Sequence, residues 1–181
     1  MTEIKTEIDG VYIIEPKVFG DSRGWFYESY SLDEFSRMGI DTVFVQDNRS
    51  FSAARHTLRG LHCQKAPAAQ AKLVSCTRGE IMDVAVDLRR ESPTYLKHVK
   101  VILSEENKRM LYIPKGCLHG FLSLSENAEL SYKVDFPYSP ENDRSIKYDD
   151  PEIGIDWGDI SPVLSDKDRS APLLRDSDVL F

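Results

Sequence analysis

The chain has 181 residues, of which 41% are hydrophobic and 29% charged, a composition typical of a globular protein with one sizeable core. Its formal net charge of −7 disfavours nucleic acid as a partner, because phosphate backbones are bound by basic surfaces. No apolar run approaches the roughly 18 residues of a membrane span, and the charged start lacks the apolar core of a signal peptide. We therefore predict a single domain over residues 1–181, located in the cytoplasm and not bound to a membrane.

Short extended runs separated by turn residues recur along the chain, a pattern that indicates an all-β sandwich or barrel. The first two predicted strands cover residues 11–15 and 25–30. Ser31, followed by Glu34 three residues later, is typical of a capping box, so we expect a short helix from there to about Gly39. Further strands are predicted at residues 94–103, 109–113, 120–124 and 129–135.

The alternation of residue types is sharpest in the middle of the chain. One face of the run from residue 81 to 88 carries Met82, Val84, Val86 and Leu88, and the other carries Ile81, Asp83, Ala85 and Asp87. Carboxylates along one strand face predict a sheet that lines a polar cavity. Tyr132 shares a face with Leu130 and Val134, so its side chain is expected to point inward. Beyond Pro137 the chain is rich in Asp, Pro, Ser and Gly, which predicts a loop-rich C-terminal tail.

The polar segment at residues 58–64 holds the first candidates for chemistry. In an extended strand one face would carry Arg59 and Leu61, and the other Leu58, Gly60 and His62. A histidine can abstract a proton near neutral pH, and a guanidinium can hold an anionic substrate. A histidine with only a structural role remains an alternative at this point.

A second histidine, His119, raises the possibility of a metal site, because histidines from different strands are usual ligands of first-row metals. Against a metal, the sequence has no His-x-His pair and no glutamate soon after His62. The three cysteines, Cys63, Cys76 and Cys117, are odd in number and widely spaced, which indicates reduced thiols rather than disulfides or a metal knuckle. We therefore predict no metal ligands.

Several motifs that occur in a fixed order resemble one enzyme family. They are PKVFGDSRG at 16–24, FVQDN at 44–48, LRGLH at 58–62, KLV at 72–74, IPKG at 113–116 with HGF at 119–121, YK at 132–133 and LSDKDR at 164–169. Over about residues 11–174 the chain resembles the dTDP-4-dehydrorhamnose 3,5-epimerases. The resemblance implies an all-β, cupin-type jelly-roll barrel, a homodimer that exchanges N-terminal strands, and catalysis without a metal or organic cofactor.

The resemblance also implies a reaction and four catalytic residues. The reaction inverts C3 and C5 of dTDP-4-dehydro-6-deoxy-D-glucose to give dTDP-4-dehydro-L-rhamnose. His62 would be the base, oriented by Asp168, and Tyr132 would be the acid on the opposite face of the sugar. Lys72 would stabilise the oxyanion at C4. These roles agree with the chemistry, because a 4-keto group acidifies both carbons and inversion needs a base and a proton donor on opposite faces.

Ten further positions match substrate contacts of the family. Arg59 would hold the diphosphate, with Arg23 and Glu28 reaching in from the partner subunit. Tyr138 would stack on thymine. The remaining matched positions are Phe19, Gln46, Asn48, His119, Asp143 and Lys167.

Two positions depart from the family's pattern, and the sequence leaves more than one reaction open. Asp143 stands where a glutamate is expected, and Cys63 stands where an aromatic residue is expected after the histidine. The alternatives are an epimerase that inverts only C3 or only C5 of a dTDP-4-keto-6-deoxysugar, a metal-dependent cupin oxygenase or isomerase, and a non-catalytic sugar-nucleotide binder. The matched acid and base, Tyr132 and His62, argue against the binder.

Overall fold

A computed structural model of the protein describes residues 1–179 and 181. The strands are, in chain order, β1 (Thr2–Lys5), β2 (Tyr12–Glu15), β3 (Phe19–Asp21), β4 (Gly24–Phe26), β5 (Gln46–Ser52), β6 (Leu58–Gln64), β7 (Lys72–Arg78), β8 (Glu80–Asp87), β9 (His98–Ser104), β10 (Met110–Ile113), β11 (Cys117–Ser123), β12 (Ala128–Val134) and β13 (Asp143–Ser145). The helices are α1 (Leu32–Arg37), α2 (Asp166–Arg169) and a 3-10 turn (Leu174–Asp176). In this described part of the chain, no helix is both long and apolar enough to cross a membrane.

The described strands form two antiparallel sheets and a separate hairpin of β3 and β4. One sheet has six strands in the order β1-β2-β10-β7-β12-β5, and the other has five in the order β13-β6-β11-β8-β9. Strands far apart in the chain are neighbours in both sheets, which is the connectivity of a jelly roll. The predicted all-β jelly roll is therefore confirmed, although the two sheets remain separate rather than closing into one continuous barrel.

Among the described residues, three clusters of buried side chains hold the layers together. The central cluster lies between the two sheets and includes Ile81 and Ala85. A second cluster, which includes Val84 and Val86, packs the outer face of the five-stranded sheet against the C-terminal tail. A third cluster places α1 on the outer face of the six-stranded sheet. The two faces predicted for β8 from its alternation are thus both buried, one inward and one beneath the tail.

Helix α1 begins as the capping pattern predicted. The Ser31 hydroxyl accepts a hydrogen bond from the Glu34 N–H at 3.4 Å, which satisfies one of the free amides at a helix start. The Glu34 carboxylate does not complete the box but pairs with Arg37 and the Met1 amino group. Phe35 is fully buried and anchors the helix on the sheet. The helix ends slightly before the predicted boundary.

Two predicted strands are shorter in the structure, because part of each run has no partner strand. The strand predicted at 25–30 stops at Phe26, and Tyr30 instead packs edge-on against Phe35 with ring centroids 5.1 Å apart. The strand predicted at 94–103 begins only at His98. Residues before it form a turn in which the Thr94 hydroxyl donates to Asp87 at 2.7 Å. The predicted loop-rich tail is confirmed, and among its described residues only β13, α2 and the 3-10 turn are regular elements.

Candidate active site

A cavity lies between the two sheets, and most of the predicted site residues line it. Its larger part has a volume of about 480 Å³ and its smaller part about 300 Å³. The residues that line both parts are His62, Lys72, Tyr132 and Lys167. The larger part is also lined by Gln46, Asn48, Tyr138 and Asp143, and the smaller part by Arg59, His119 and Asp168. The fold therefore brings together all but three of the predicted residues.

Strand β6 directs both Arg59 and His62 into this cavity. The register between β6 and β11 shifts within the segment, and such a bulge changes which side chains share a face. Leu58 and Leu61 consequently lie together in the cluster beneath the tail. The prediction that Arg59 shares a face with Leu61, opposite His62, is therefore wrong. Gly60 lies at the shift with φ +128°, and a Cβ there would come within 2.6 Å of a backbone carbon in β11.

His62 on β6 and Asp168 on α2 form a hydrogen-bonded pair. His62 Nε2 lies 2.5 Å from Asp168 Oδ1, and the Ser165 hydroxyl donates to Asp168 Oδ2 at 2.9 Å. Burial tends to raise the pKa of Asp168, but the hydrogen bonds from His62 and Ser165 and the charge of His62 lower it overall. An ionised carboxylate can only accept, so the proton lies on His62 Nε2. The other ring nitrogen, Nδ1, is left able to take a proton.

Lys72 on β7 and Tyr132 on β12 enter the cavity from the six-stranded sheet, whereas His62 belongs to the five-stranded sheet. Burial lowers the pKa of Lys72. Burial also raises the pKa of Tyr132, with the Arg59 charge opposing part of that increase. Among the described residues, Lys72 forms no ion pair. A negative charge that develops in the cavity would favour the Lys72 ammonium, and the Tyr132 phenol keeps its proton at neutral pH.

His119 on β11 is the cross-strand neighbour of His62. Its Nε2 lies 2.7 Å from Asp83 Oδ1, and Asp83 is the fully buried, inward carboxylate expected from the alternation of β8. Burial lowers the pKa of His119, although the Asp83 charge opposes this. The second predicted carboxylate, Asp87, lies at the end of β8 and binds Arg89 instead of lining the cavity. Only one of the two carboxylates therefore contributes to the site.

The outer end of the cavity combines an aromatic ring with a lysine–carboxylate pair. Asp143 Oδ2 accepts from Lys167 Nζ at 2.5 Å and from the Tyr138 hydroxyl at 3.1 Å. Gln46 Nε2 donates to Asn48 Oδ1 at 2.8 Å beside them. The Tyr138 residue stays 59% exposed. An exposed ring next to a lysine is suited to stacking on a base and pairing with a phosphate.

Three predicted residues, Phe19, Arg23 and Glu28, do not reach the cavity of their own chain. They lie in and just after the hairpin of β3 and β4 and are exposed. The Arg23 guanidinium pairs with Asp21 at 2.6 Å.

The cavity also contains residues that the sequence analysis missed, namely Ser50, Gln64, Gln70, Phe121 and Ser165. Strand alternation could have found two of them. Ser50 lies two residues after Asn48 on β5, and Gln64 lies two residues after His62 on β6. Ser165 lines the cavity only because the tail folds back against β6. The local sequence around Ser165 does not reveal that contact.

No group of three or more His, Cys, Asp or Glu side chains within residues 1–179 and 181 is arranged to hold a metal ion. All three cysteines are free and buried. Burial raises the pKa of Cys63 and of Cys117 to about 12. Both thiols are therefore protonated and unreactive at neutral pH.

Comparisons with known proteins show which family the chain is similar to. Residues 5–176 match the family model of dTDP-4-dehydrorhamnose 3,5-epimerase. The chain is 53% identical over 176 residues to the enzyme of that name from Salmonella typhimurium strain LT2, covering 96% of each chain. It resembles the crystal structure of a Legionella pneumophila dTDP-6-deoxy-D-glucose-3,5-epimerase in complex with dTDP-4-keto-L-rhamnose, with a TM-score of 0.93, 48% identity, and coverage of 99% and 98%. It also resembles a 3'-monoepimerase from Streptomyces bikiniensis in complex with dTDP-quinovose, with a TM-score of 0.87, 36% identity, and coverage of 94% and 86%.

The jelly roll, the cavity and these similarities together define an isomerase, an epimerase that acts on a nucleotide-linked sugar. The chain belongs to the dTDP-4-dehydrorhamnose 3,5-epimerase family. The family expected from the ordered motifs is confirmed.

Proposed function

We propose that this epimerase inverts C3 and C5 of dTDP-4-dehydro-6-deoxy-D-glucose to give dTDP-4-dehydro-L-rhamnose. One observation carries the proposal. His62 and Tyr132 enter one cavity from opposite sheets, with Lys72 lining the same space. Inversion of a carbon needs proton removal on one face and proton delivery on the other, and facing sheets supply two such directions.

The first step is removal of a hydrogen next to the ketone by His62. The ring nitrogen Nδ1 takes the proton from C3 or C5, and the electron pair of the broken C–H bond moves onto the C4 oxygen to form an enolate. The buried Asp168 carboxylate supports the imidazolium that results. Lys72 faces the enolate charge, and preorganised stabilisation of this kind contributes about 3–4 kcal/mol.

The second step is delivery of a proton by Tyr132 to the same carbon from the other face. The raised pKa of Tyr132 keeps its phenol protonated until the enolate returns its electron pair to carbon. The ketone reforms, His62 and Tyr132 recover their starting protonation through solvent, and the sequence repeats at the second carbon. No redox change occurs, so the proton transfers by the residues named here account for the whole reaction.

The nucleotide part of the substrate is held by charged residues of both parts of the cavity and by the aromatic ring at its outer end. Arg59 and Lys167 pair with the diphosphate, and Tyr138 stacks on thymine. The other assigned contacts are Gln46, Asn48, His119 and Asp143, together with Phe19, Arg23 and Glu28 from a partner subunit.

A homodimer that exchanges N-terminal strands explains the hairpin of β3 and β4. Trp25 and Phe26 are 61% and 65% exposed there, beside the exposed Arg23. A cluster of exposed aromatic side chains is typical of an interface. In the dimer, this hairpin covers the neighbouring subunit and carries Arg23 to its cavity.

The protein works as a single domain in the cytoplasm, which its three free cysteines support, because thiols persist in a reducing compartment. An epimerase that inverts only one carbon is the second candidate, favoured by the similarity to a 3'-monoepimerase.

The deciding experiment incubates the enzyme with dTDP-4-dehydro-6-deoxy-D-glucose in heavy water and locates deuterium by NMR. Deuterium at C3 and C5, with the product in the L-rhamno configuration, is the expected result. Deuterium at one carbon only would establish the single-carbon epimerase, and none at either carbon would establish a binder. Activity that is lost on treatment with a chelator and restored by a metal would indicate the metal-dependent alternative.

A further inference from the structure

The chain contains three glutamines, Gln46, Gln64 and Gln70, and all three line the larger part of the cavity. They come from β5, from β6 and from the loop before β7. All three side chains form hydrogen bonds with the backbone of residues 136–139, the segment that carries Tyr138. We call these three side chains the glutamine clamp.

Gln64 holds the backbone on both sides of Tyr138. Its Nε2 donates to the Pro137 carbonyl at 3.2 Å, and its Oε1 accepts from the Ser139 N–H at 2.7 Å. The second Nε2 hydrogen goes to the Ala68 carbonyl at 2.7 Å. Gln64 is only 4% exposed, and a buried amide is stable when its donors and acceptors are satisfied. Both Nε2 hydrogens and the Oε1 of Gln64 are therefore used, and the side chain ties the backbone on either side of Tyr138 to β6 and to Ala68.

The other two glutamines secure the remaining positions of the segment. Gln70 Nε2 donates to the Phe136 carbonyl at 2.6 Å, and Gln46 Oε1 accepts from the Tyr138 N–H at 3.3 Å. Each of the four consecutive residues 136–139 thus has one backbone group bound to a glutamine. The clamp connects the segment to strands of both sheets.

The Tyr138 side chain contrasts with this fixed backbone. The residue is 59% exposed, and its ring contributes little to the core. A rigid backbone that presents an exposed ring loses little conformational entropy when a flat ligand stacks on the ring. The clamp therefore preorganises a stacking surface before the ligand binds.

We propose that Gln64 and Gln70 are positioning residues that hold the Tyr138 ring ready for the nucleobase of the substrate. They act through Tyr138, because their amide groups are engaged by backbone atoms of the segment around it and by the Ala68 carbonyl. They set the affinity for the nucleotide, while the rate of proton transfer depends on His62 and Tyr132. The inference rests on the proposed stacking of Tyr138 on the base.

The test uses Gln64→Met and Gln70→Met, which keep the side-chain length but remove the hydrogen bonds. KM for the sugar nucleotide and Kd for dTDP are expected to rise roughly 10-fold for Gln64→Met, a fraction of the full effect of losing base–aromatic stacking. The kcat at saturating substrate should stay within about 2-fold of wild type. Kd for inorganic pyrophosphate, which has no base, should not change.

Asn107→Leu is the matched control. Asn107 also makes three side-chain-to-backbone hydrogen bonds, to Ser104, Arg109 and Ile102, in the turn between β9 and β10. Its loss should lower the melting temperature without changing KM or either Kd. This separates positioning of the ring from a general loss of stability.

Tyr138→Ala distinguishes failure of the clamp from failure of the proposed stacking. If Tyr138→Ala raises Kd for dTDP and Gln64→Met adds nothing in that background, the clamp acts through the ring. Additive effects, an unchanged Kd in Gln64→Met, or a fall in kcat alone would overturn the clamp. An unchanged Kd in Tyr138→Ala would instead refute stacking itself and the clamp with it. If Gln64→Met does not fold, the same measurements on Gln70→Met decide, because Gln70 is only half-buried and loses one bond.

Discussion

Replacement of Asp168 by asparagine tests the base assignment without removing the histidine. The change keeps the size of the side chain, so the imidazole of His62 should remain in place and nucleotide binding should persist. It removes the negative charge that supports the imidazolium when His62 holds the substrate's proton. We therefore expect Asp168→Asn to lower kcat and to leave KM within a few-fold of wild type.

The size of the effect follows from the geometry of the pair. A hydrogen bond to a charged group contributes about 1.5–3 kcal/mol, which corresponds to a loss of roughly 10- to 150-fold in rate at about 1.4 kcal/mol per factor of ten. The His62–Asp168 distance is 2.5 Å and the carboxylate is 4% exposed, so water screens the charge little and the upper half of this range applies. His62→Ala removes the base itself and should cost more, about 10²–10⁴.

The assay is initial-rate kinetics together with the rate of deuterium uptake from heavy water at each carbon. Ser165→Ala is the graded control, because it removes one hydrogen bond to Asp168 but leaves the charge. Its rate should lie between those of wild type and Asp168→Asn. Circular dichroism at neutral pH establishes that each variant is folded.

A folded Asp168→Asn enzyme with kcat within about 3-fold of wild type would refute the reasoning, because it would show that the charge does not support the base. A loss as large as that of His62→Ala would also contradict it. In that case Asp168 would itself transfer the proton.

Three further predictions concern the acid, the dimer and the stability of the fold. Tyr132→Phe should lower the rate of inversion by about 10²–10⁴. The rate of deuterium exchange should fall less, because His62 can still remove and return a hydrogen on one face. An equal loss of both rates would mean that Tyr132 only positions the substrate. Mixing inactive Arg23→Ala and His62→Ala subunits under exchange conditions should restore activity, and a fully active monomer in light scattering would refute the shared site. Asp87→Asn should destabilise the protein by about 1.5–3 kcal/mol at neutral pH, because it removes the buried charge that pairs with the half-buried Arg89, as measured by urea unfolding. The pKa of Asp87 is lowered to about 2, so wild-type Asp87 contributes fully above about pH 4 and loses its contribution as the pH falls towards 2; a difference between variant and wild type that did not shrink over that interval would contradict the assignment.

The sequence alone determined the features that depend on near neighbours in the chain. Alternation of residue types gave the inward direction of Tyr132 and the two faces of β8, because side chains in a strand alternate with a period of two. Ser31 predicted the start of α1, because a capping hydroxyl accepts a hydrogen bond from an N–H three residues later. The order of the motifs indicated the family, because motif order can be read from the sequence without knowing which residues are in contact.

Only the tertiary structure decided the features that depend on contacts between distant strands. Alternation placed Arg59 and His62 on opposite faces of β6, and the register shift against β11 brought them into one cavity. Asp168 lies 106 residues after His62, and no local pattern distinguishes it from a turn residue. The three glutamines meet at one segment for the same reason. Local preferences act over a few residues, whereas register and the packing of the tail are set by which distant surfaces bury each other, so the chemistry of the site emerges only in the folded chain.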